Sequence, residues 1–260
     1  MASIAVHAYG PAPSQHGSLH VPDGSGPHPV VVLLHGGFWW HRFDRSIMMP
    51  LAIDLVGRGY AVWNLEYRRV GEPGGGWPGT LVDVGDGIDR LASIGPGRGL
   101  ATDRVVAVGH SAGGQLALWA AARPGLPDDV PGAGRDSGVT LRAAVAQAGV
   151  SDLRTAAALD LGPGAVVGLL GGRPDQQPAR YALASPIERL PLGVPQLLVH
   201  GARDRLVPVA MSRAYAAAGR GAGDRVELVE WPGIGHFEVI DPAHPSWAAV
   251  VERLPDLVTA

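Results

Sequence analysis

An α/β fold, with a mostly parallel central sheet and helices on both of its faces, is what this sequence predicts, on three observations. Continuous apolar runs such as "PVVVLLHGG" (29–37) and "YAVWNLEY" (60–67) are short, as strands buried on both faces are. Segments with helical spacing alternate with them, the first being "RSIMMPLAIDLVGRG" (45–59), which closes on glycine. Alternation of this kind calls for crossover connections, and crossovers make neighbouring strands parallel.

Element by element, residues 3–9 and 17–21 read as short strands separated by turn chemistry, ahead of the strand at 29–37 and the helix at 45–59. The strand at 60–67 follows, and "GTLVDVGDGIDRLASIG" (79–95) is helical in pattern despite its internal glycines. "DRVVAVG" (103–109) is the next strand and "AGGQLALWAAAR" (112–123) its helix. After a Gly/Pro-rich loop (124–138) come strands at 141–149, 195–201 and 225–231, a helix near 208–219 and a last helix near 245–258. Residues 151–194 lack a clear strand and are expected to form a small helical insertion, or cap, over one end of the sheet. No repeat of fixed period is present, so one domain over 1–260 is expected.

Composition narrows the function. Hydrophobic residues make up 46% and charged residues 17% of the 260, which describes a chain with a core to bury rather than a disordered one. A net charge of −3 without any basic run argues against nucleic-acid binding. The chain has no cysteine, which removes disulfides, thiolate metal sites and a Cys nucleophile. All 21 basic residues are Arg, so a Schiff-base lysine, a Ser-Lys dyad and a P-loop are absent too. Nothing resembles His-Glu-x-x-His, and neither a metal nor a cofactor is expected. The first residues, "MASIAVHAYGPAPSQ", do not read as a signal peptide. No apolar run approaches the ~18 residues of a membrane span. A cytoplasmic protein without membrane association is the expectation, and a homo-oligomer is compatible with it.

In a parallel sheet, ligands sit beyond the carboxyl ends of the strands, so chemically capable residues should cluster there. Ser111, in "VVAVGHSAGGQLALWAAARP" (105–124), follows a strand and precedes a helix, the setting of a nucleophile elbow. The pattern Gly-x-Ser-x-Gly is weak alone: with 38 Gly and twelve Ser in the chain, chance supplies roughly 0.25 matches. The competing reading is a serine N-cap. A hydroxyl needs a base held by a carboxylate. His236, in "WPGIGHFEVIDP", lies in a loop after the last strand, whereas His7, His16, His20 and His28 sit in the polar N-terminal region. His110 should point away from an elbow serine. For the acid, Asp204 in "LLVHGARDRLVP" is favoured, with Asp152 in "QAGVSDL" as competitor, while Asp241 is assigned to the following helix region. Asp204 could instead cap a helix or pair with Arg203 or Arg205. Oxyanion donors would be the N–H of Ala112 and those of Gly37 or Phe38 in "HGGFWW" (35–40).

Four elements in the order oxyanion loop, Ser, Asp, His, each placed after a strand, resemble the α/β-hydrolase superfamily over nearly the whole chain. "HGGFW", "EYRR" (66–69) and "GHSAGG" look like its esterase/lipase branch, which includes hormone-sensitive-lipase-like, feruloyl/acetyl-esterase-like and kynurenine-formamidase-like serine hydrolases. The resemblance implies Ser111 as nucleophile, His236 as base, Asp204 as its orienter, and Gly37, Phe38 and Ala112 as oxyanion donors. Relatives of hormone-sensitive lipase usually carry a third glycine where this chain has Phe38, and a bulky residue before Trp looks more like the formamidase side. "PQLLVHGARDRLVP" also looks like prolyl-oligopeptidase-type hydrolases, but a propeller domain is not expected within these 260 residues.

The expected function is a serine hydrolase that cleaves a small-molecule carboxylic ester with a small acyl group. An arylformamidase acting on an amide, an acyltransferase or cyclase, and a non-catalytic ligand receptor are the alternatives. Phe38, Trp39 or Trp40 should wall the acyl side, unless these aromatics merely anchor their loop in the core. Trp39 and Trp40 are therefore candidate substrate-binding residues. Trp77, in "GEPGGGWPG" (71–79), joins them if its loop lies over the site and not in a structural turn. Glu66, Tyr67 and Arg68 are expected to fasten a strand end.

Overall fold

The computed structural model describes residues 3–134 and 139–260. Eight strands, β1 (Ser3–Ala8), β2 (His16–Val21), β3 (His28–Leu34), β4 (Ala61–Leu65), β5 (Leu100–His110), β6 (Leu141–Gln147), β7 (Gln196–Gly201) and β8 (Val226–Trp231), match the eight read from the sequence. They form one sheet in the order β1-β2-β4-β3-β5-β6-β7-β8. All pairs from β4 to β8 are parallel, and only β2 runs against its neighbours. The α/β-hydrolase expectation for the fold holds.

The helices are α1 (Met49–Gly57), α2 (Gly79–Asp89), α3 (Leu91–Ile94), α4 (Ala112–Ala122), α5 (Leu153–Ala158), α6 (Ala165–Leu170), α7 (Pro178–Ala184), α8 (Val209–Gly221), α9 (Pro245–Val251) and α10 (Leu254–Leu257). Three of the expected helices are shorter or divided. The 45–59 segment opens as a 3₁₀ turn, Arg45–Met48, capped by the Asp44 side chain on the Ser46 N–H. Only then does α1 begin, with Pro50 in its first turn, where a missing N–H costs nothing. The last helix breaks after Val251, and α10 carries Pro255 in its first turn for the same reason.

Period-two alternation sorts each central strand between the two faces. Val30, Val32 and Leu34 of β3 pack with Leu81 and Val84 of α2 and Leu116 of α4. Val31 and Leu33 pack on the other side with Leu51 and Leu55 of α1 and with Trp247 and Val250 of α9. Helix α4 is buried along its full length, because the sheet lies on one side of it and the 151–194 segment on the other. That segment consists of α5, α6, α7 and a 3₁₀ turn (Pro186–Arg189). It is tied to α4 by Gln115 Nε2 donating to the Ala184 carbonyl (2.9 Å) and Trp119 Nε1 to that of Leu183 (3.1 Å).

Candidate active site

Ser111 stands between β5 and α4 with φ 55° and ψ −117°, a conformation that L-residues avoid and that persists only where surroundings enforce it. Small residues enforce it here. A Cβ on Gly109 would lie 1.9 Å from the Gly113 carbonyl oxygen, and one on Gly113 would lie 2.0 Å from that of Leu34. The turn can therefore close only with glycine at both positions. The Ser111 backbone is held by its N–H donating to the Gln147 carbonyl (2.8 Å), while its own carbonyl accepts from Gly114 (3.0 Å). Its side chain makes no cap hydrogen bond to α4, so the N-cap reading fails. The Ala112 N–H, as the first of α4, has no acceptor within the helix.

His236 lies in the loop after β8, with its Nδ1 2.6 Å from Asp204 Oδ2. A carboxylate only accepts, so Nδ1 carries the proton and Nε2 keeps a lone pair. The His236 carbonyl accepts from His110 Nε2 (2.9 Å), and the two rings are 4.6 Å apart. His110 thus turns away from the Ser111 side chain and toward the histidine loop. Burial first, and the neighbouring His236 second, drive the His110 imidazole down to about 3, which keeps it neutral.

Asp204 is enclosed on both oxygens. Its Oδ1 accepts from the N–H groups of Leu206 (2.8 Å) and Val207 (2.9 Å), and its Oδ2 faces His236 and His200, the latter at 3.2 Å. Burial alone would raise its pKa, but the hydrogen bonds from His200 and His236 outweigh burial and hold the carboxyl well below the usual range. His200 is fully buried, and its Nε2 also faces the Val207 carbonyl (2.9 Å), which fixes the proton on Nε2. Its Nδ1 accepts from the Ser212 hydroxyl (2.7 Å). The sequence reading passed over His200. The signal was there in "HGARD", where a His and an Asp four residues apart straddle the end of β7.

The other carboxylates sit elsewhere. Asp152 caps α5, accepting from Arg154 N (3.0 Å) and Thr155 N (3.1 Å). Asp241 accepts from Ala243 N (2.9 Å) in a turn. Neither faces His236.

The loop after β3 runs against the serine: a Cβ on Gly36 would meet Ser111 Cβ at 3.0 Å. Phe38 (φ 53°) and Trp39 (φ 58°) are consecutive left-handed residues, held by Trp40 N donating to the Gly37 carbonyl (3.0 Å) and Val70 N to that of Trp39 (2.8 Å). Trp39 departs from the substrate-binding expectation. It is 1% exposed, packs in the core, and donates Nε1 to Gln115 Oε1 on α4 (3.1 Å). A left-handed backbone rotates successive side chains to different sides, and this one turns inward. Trp77 departs likewise. Its side chain packs on the core and its N–H donates to the Leu169 carbonyl of α6 (2.6 Å), so its loop is a structural turn. Beneath the loop, Glu66 Oε1 lies 2.9 Å from His35 Nε2 and 3.1 Å from an Arg69 nitrogen. The Tyr67 hydroxyl donates to the His35 carbonyl (2.7 Å), and Arg68 clasps the buried Asp83 carboxylate. These residues fasten the strand ends, as expected.

Phe38 and Trp40 line an open depression of about 640 Å³, completed by Leu161 and Leu206 and edged by Arg42 and Arg205. Another depression, walled by Pro195, Arg225 and Arg253, lies at the opposite ends of the strands and holds none of these groups.

Residues 19–218 match the BD-FAE family model, a span that includes Ser111 and Asp204 and stops short of His236. Among curated proteins the chain is similar to two from Mycobacterium tuberculosis (strain ATCC 25618 / H37Rv). One is Esterase LipQ, 31% identical over 80% of this chain and 50% of that protein; the other is Esterase LipC, 28% identical over 84% and 55%. The chain thus spans about half the length of these relatives. Esterase B from Lactobacillus rhamnosis, inhibited by a tributyrin phosphonate, superposes with a TM-score of 0.85 at 22% identity, over 99% of this chain and 86% of that one. A thermophilic esterase from Thermogutta terrifontis superposes at 0.76 and 21%, over 98% and 91%. Among the described residues, no helix is long and apolar enough to cross a membrane. With the family match covering most of the chain, this chain belongs to the BD-FAE family of α/β-hydrolases.

Proposed function

We propose that this protein is a cofactor-independent serine hydrolase cleaving carboxylic esters with a small acyl group, with Ser111 as nucleophile, His236 as base and Asp204 as its orienter. The observation that carries the reading is the pair of hydrogen bonds on His236. Asp204 holds its Nδ1 at 2.6 Å, and His110, the residue before Ser111, holds its carbonyl at 2.9 Å. One contact selects the tautomer and the other keeps the ring beside the serine turn. The relatives named as esterases support the same reaction class.

Ser111 Oγ adds to the ester carbonyl while its proton passes to His236 Nε2. The N–H groups of Ala112 and of Gly37 or Phe38 receive the oxyanion. Collapse expels the alcohol, which takes the proton from Nε2 and leaves an acyl-serine. Water then adds by the same route in reverse, its proton going to Nε2 and on to Ser111 as the carboxylic acid departs. Asp204 stays ionised throughout and steadies the imidazolium.

The test is labelling with a fluorophosphonate probe beside turnover of p-nitrophenyl esters from acetyl to octanoyl. Stoichiometric labelling at Ser111, absent in Ser111→Ala, with fastest turnover on the short chains, is expected. Turnover that survives Ser111→Ala would overturn the assignment.

A further inference from the structure

The depression lined by Phe38 and Trp40 is not electrostatically neutral. Its floor is apolar, formed by Phe38, Trp40, Leu161 and Leu206, and Arg42 and Arg205 stand at its edge. Both arginines are exposed, and neither forms an ion pair with any carboxylate among the described residues. Arg42 lies over the Phe43 ring at 5.1 Å, so its partner among the described residues is an aromatic face. Elsewhere Arg58, Arg154, Arg213 and Arg253 are each clasped by an Asp or Glu. Asp160 is the single carboxylate at the depression, and its Oδ1 is engaged by the Gly164 N–H (2.8 Å).

The position of the depression ties it to the chemistry. Phe38 belongs to the loop that packs on Ser111, and Leu206 donates its N–H to Asp204 Oδ1. A substrate whose carbonyl sat between these loops would have its bulkier half in this space. At about 640 Å³ the depression is far larger than a small acyl group needs. We propose that it recognises the alcohol half of an ester bearing a carboxylate, with an apolar or aromatic body on Phe38, Trp40 and Leu206 and the carboxylate on Arg42 and Arg205. This rests on the reading of Ser111 as nucleophile. Guanidinium forks suit carboxylates in geometry and charge, and a partly apolar wall strengthens the attraction over that in open water.

The experiment compares kcat/KM for 4-carboxyphenyl acetate and phenyl acetate in the wild type and in Arg42→Gln/Arg205→Gln. Comparing the ratio between proteins cancels the intrinsic reactivity difference of the two esters. The ratio is expected to fall about tenfold in the double variant and to fall in the wild type as NaCl is raised, since exposed charges are screened. It should hold in Arg203→Gln, which changes the same charge on the same loop outside the depression. Calorimetric binding of 4-hydroxybenzoate, which needs no turnover, is the second readout, with about tenfold weaker binding expected in the double variant. A ratio and a binding constant indifferent to both arginines would overturn the proposal. Arginine-dependent binding without hydrolysis or fluorophosphonate labelling would instead uphold the anion site and remove Ser111 as nucleophile.

Discussion

His110 Nε2 donates to the backbone carbonyl of His236 across 2.9 Å, joining residues 126 positions apart. The serine turn and the histidine loop are therefore one mechanical unit: the residue before Ser111 grips the residue that Asp204 orients. His110 stays neutral because burial drives its pKa to about 3, so this grip does not change over the working pH range.

Replacing His110 by Leu keeps apolar volume and removes the donor. The expected result is a protein that folds but turns over p-nitrophenyl acetate roughly tenfold more slowly, in line with the loss of one buried hydrogen bond. Fluorophosphonate labelling should slow by a similar factor. Unchanged labelling would mean that the His236 loop needs no such tether.

The two carboxylates that competed in the sequence should separate cleanly. Asp204→Asn is expected to lower kcat by on the order of 10⁴, through loss of the correct histidine tautomer. Asp152→Asn should leave kcat within a few-fold, because Asp152 only caps α5. Its cost, ~0.5 kcal/mol or less of stability given that Asn also caps helices, would be read from denaturant midpoints.

The pH dependence of stability follows from the direction of the Asp204 shift. Its folded pKa is depressed below the ordinary 3.8, so its ionised form stabilises the fold above that value. That contribution is lost as pH falls from there toward the lower folded pKa. The stability advantage of wild type over Asp204→Asn, measured by denaturation, should therefore be larger at pH 7 than at pH 3. A difference that is constant or grows on acidification would contradict the hydrogen-bonded, ionised Asp204 described above.

His200 offers a graded test of the same carboxylate. His200→Leu removes the donor 3.2 Å from Asp204 Oδ2, whereas the amide N–H of His200→Gln can partly replace it. A roughly tenfold fall in kcat with KM little changed is expected for Leu, and partial recovery for Gln. Equal losses in both would assign His200 to packing alone.

Trp39 and Phe38 should fail in different ways. Trp39→Ala removes a buried indole and its bond to Gln115, and is expected to cost about 3–5 kcal/mol of stability without altering acyl-chain preference. Phe38→Ala enlarges the depression that receives the alcohol half and should shift preference toward bulkier alcohol groups in a series of acetate esters, by up to a factor of several per methylene in kcat/KM. Chain-length profiles and melting curves of the two variants decide it.

Much of this architecture is written locally. Eight strands could be placed from apolar runs and their glycine ends, because strand periodicity and turn chemistry depend on residues near in sequence. The same local rules set Ser111, Asp204 and His236 each just beyond a strand, at the edge where a parallel sheet gathers its functional groups. Direction and pairing were not legible in this way. That Asp204 rather than Asp152 faces His236 depends on the packing of β7 beside β8, and Asp152 is drawn instead into the cap of α5. That Trp39 turns inward while Phe38 and Trp40 meet the depression follows from two successive left-handed residues, a backbone state held by contacts with Val70 and Gln115 far along the chain. From the sequence alone His200 has no role, and His110 carries only the expectation that it should point away from Ser111. Their partners, a carboxylate around the end of β7 and a carbonyl 126 residues away, exist only once the sheet has assembled. Hydrogen bonds between distant residues leave no periodic trace, so the chain's own pattern could mark the places for chemistry but not which neighbours would hold them.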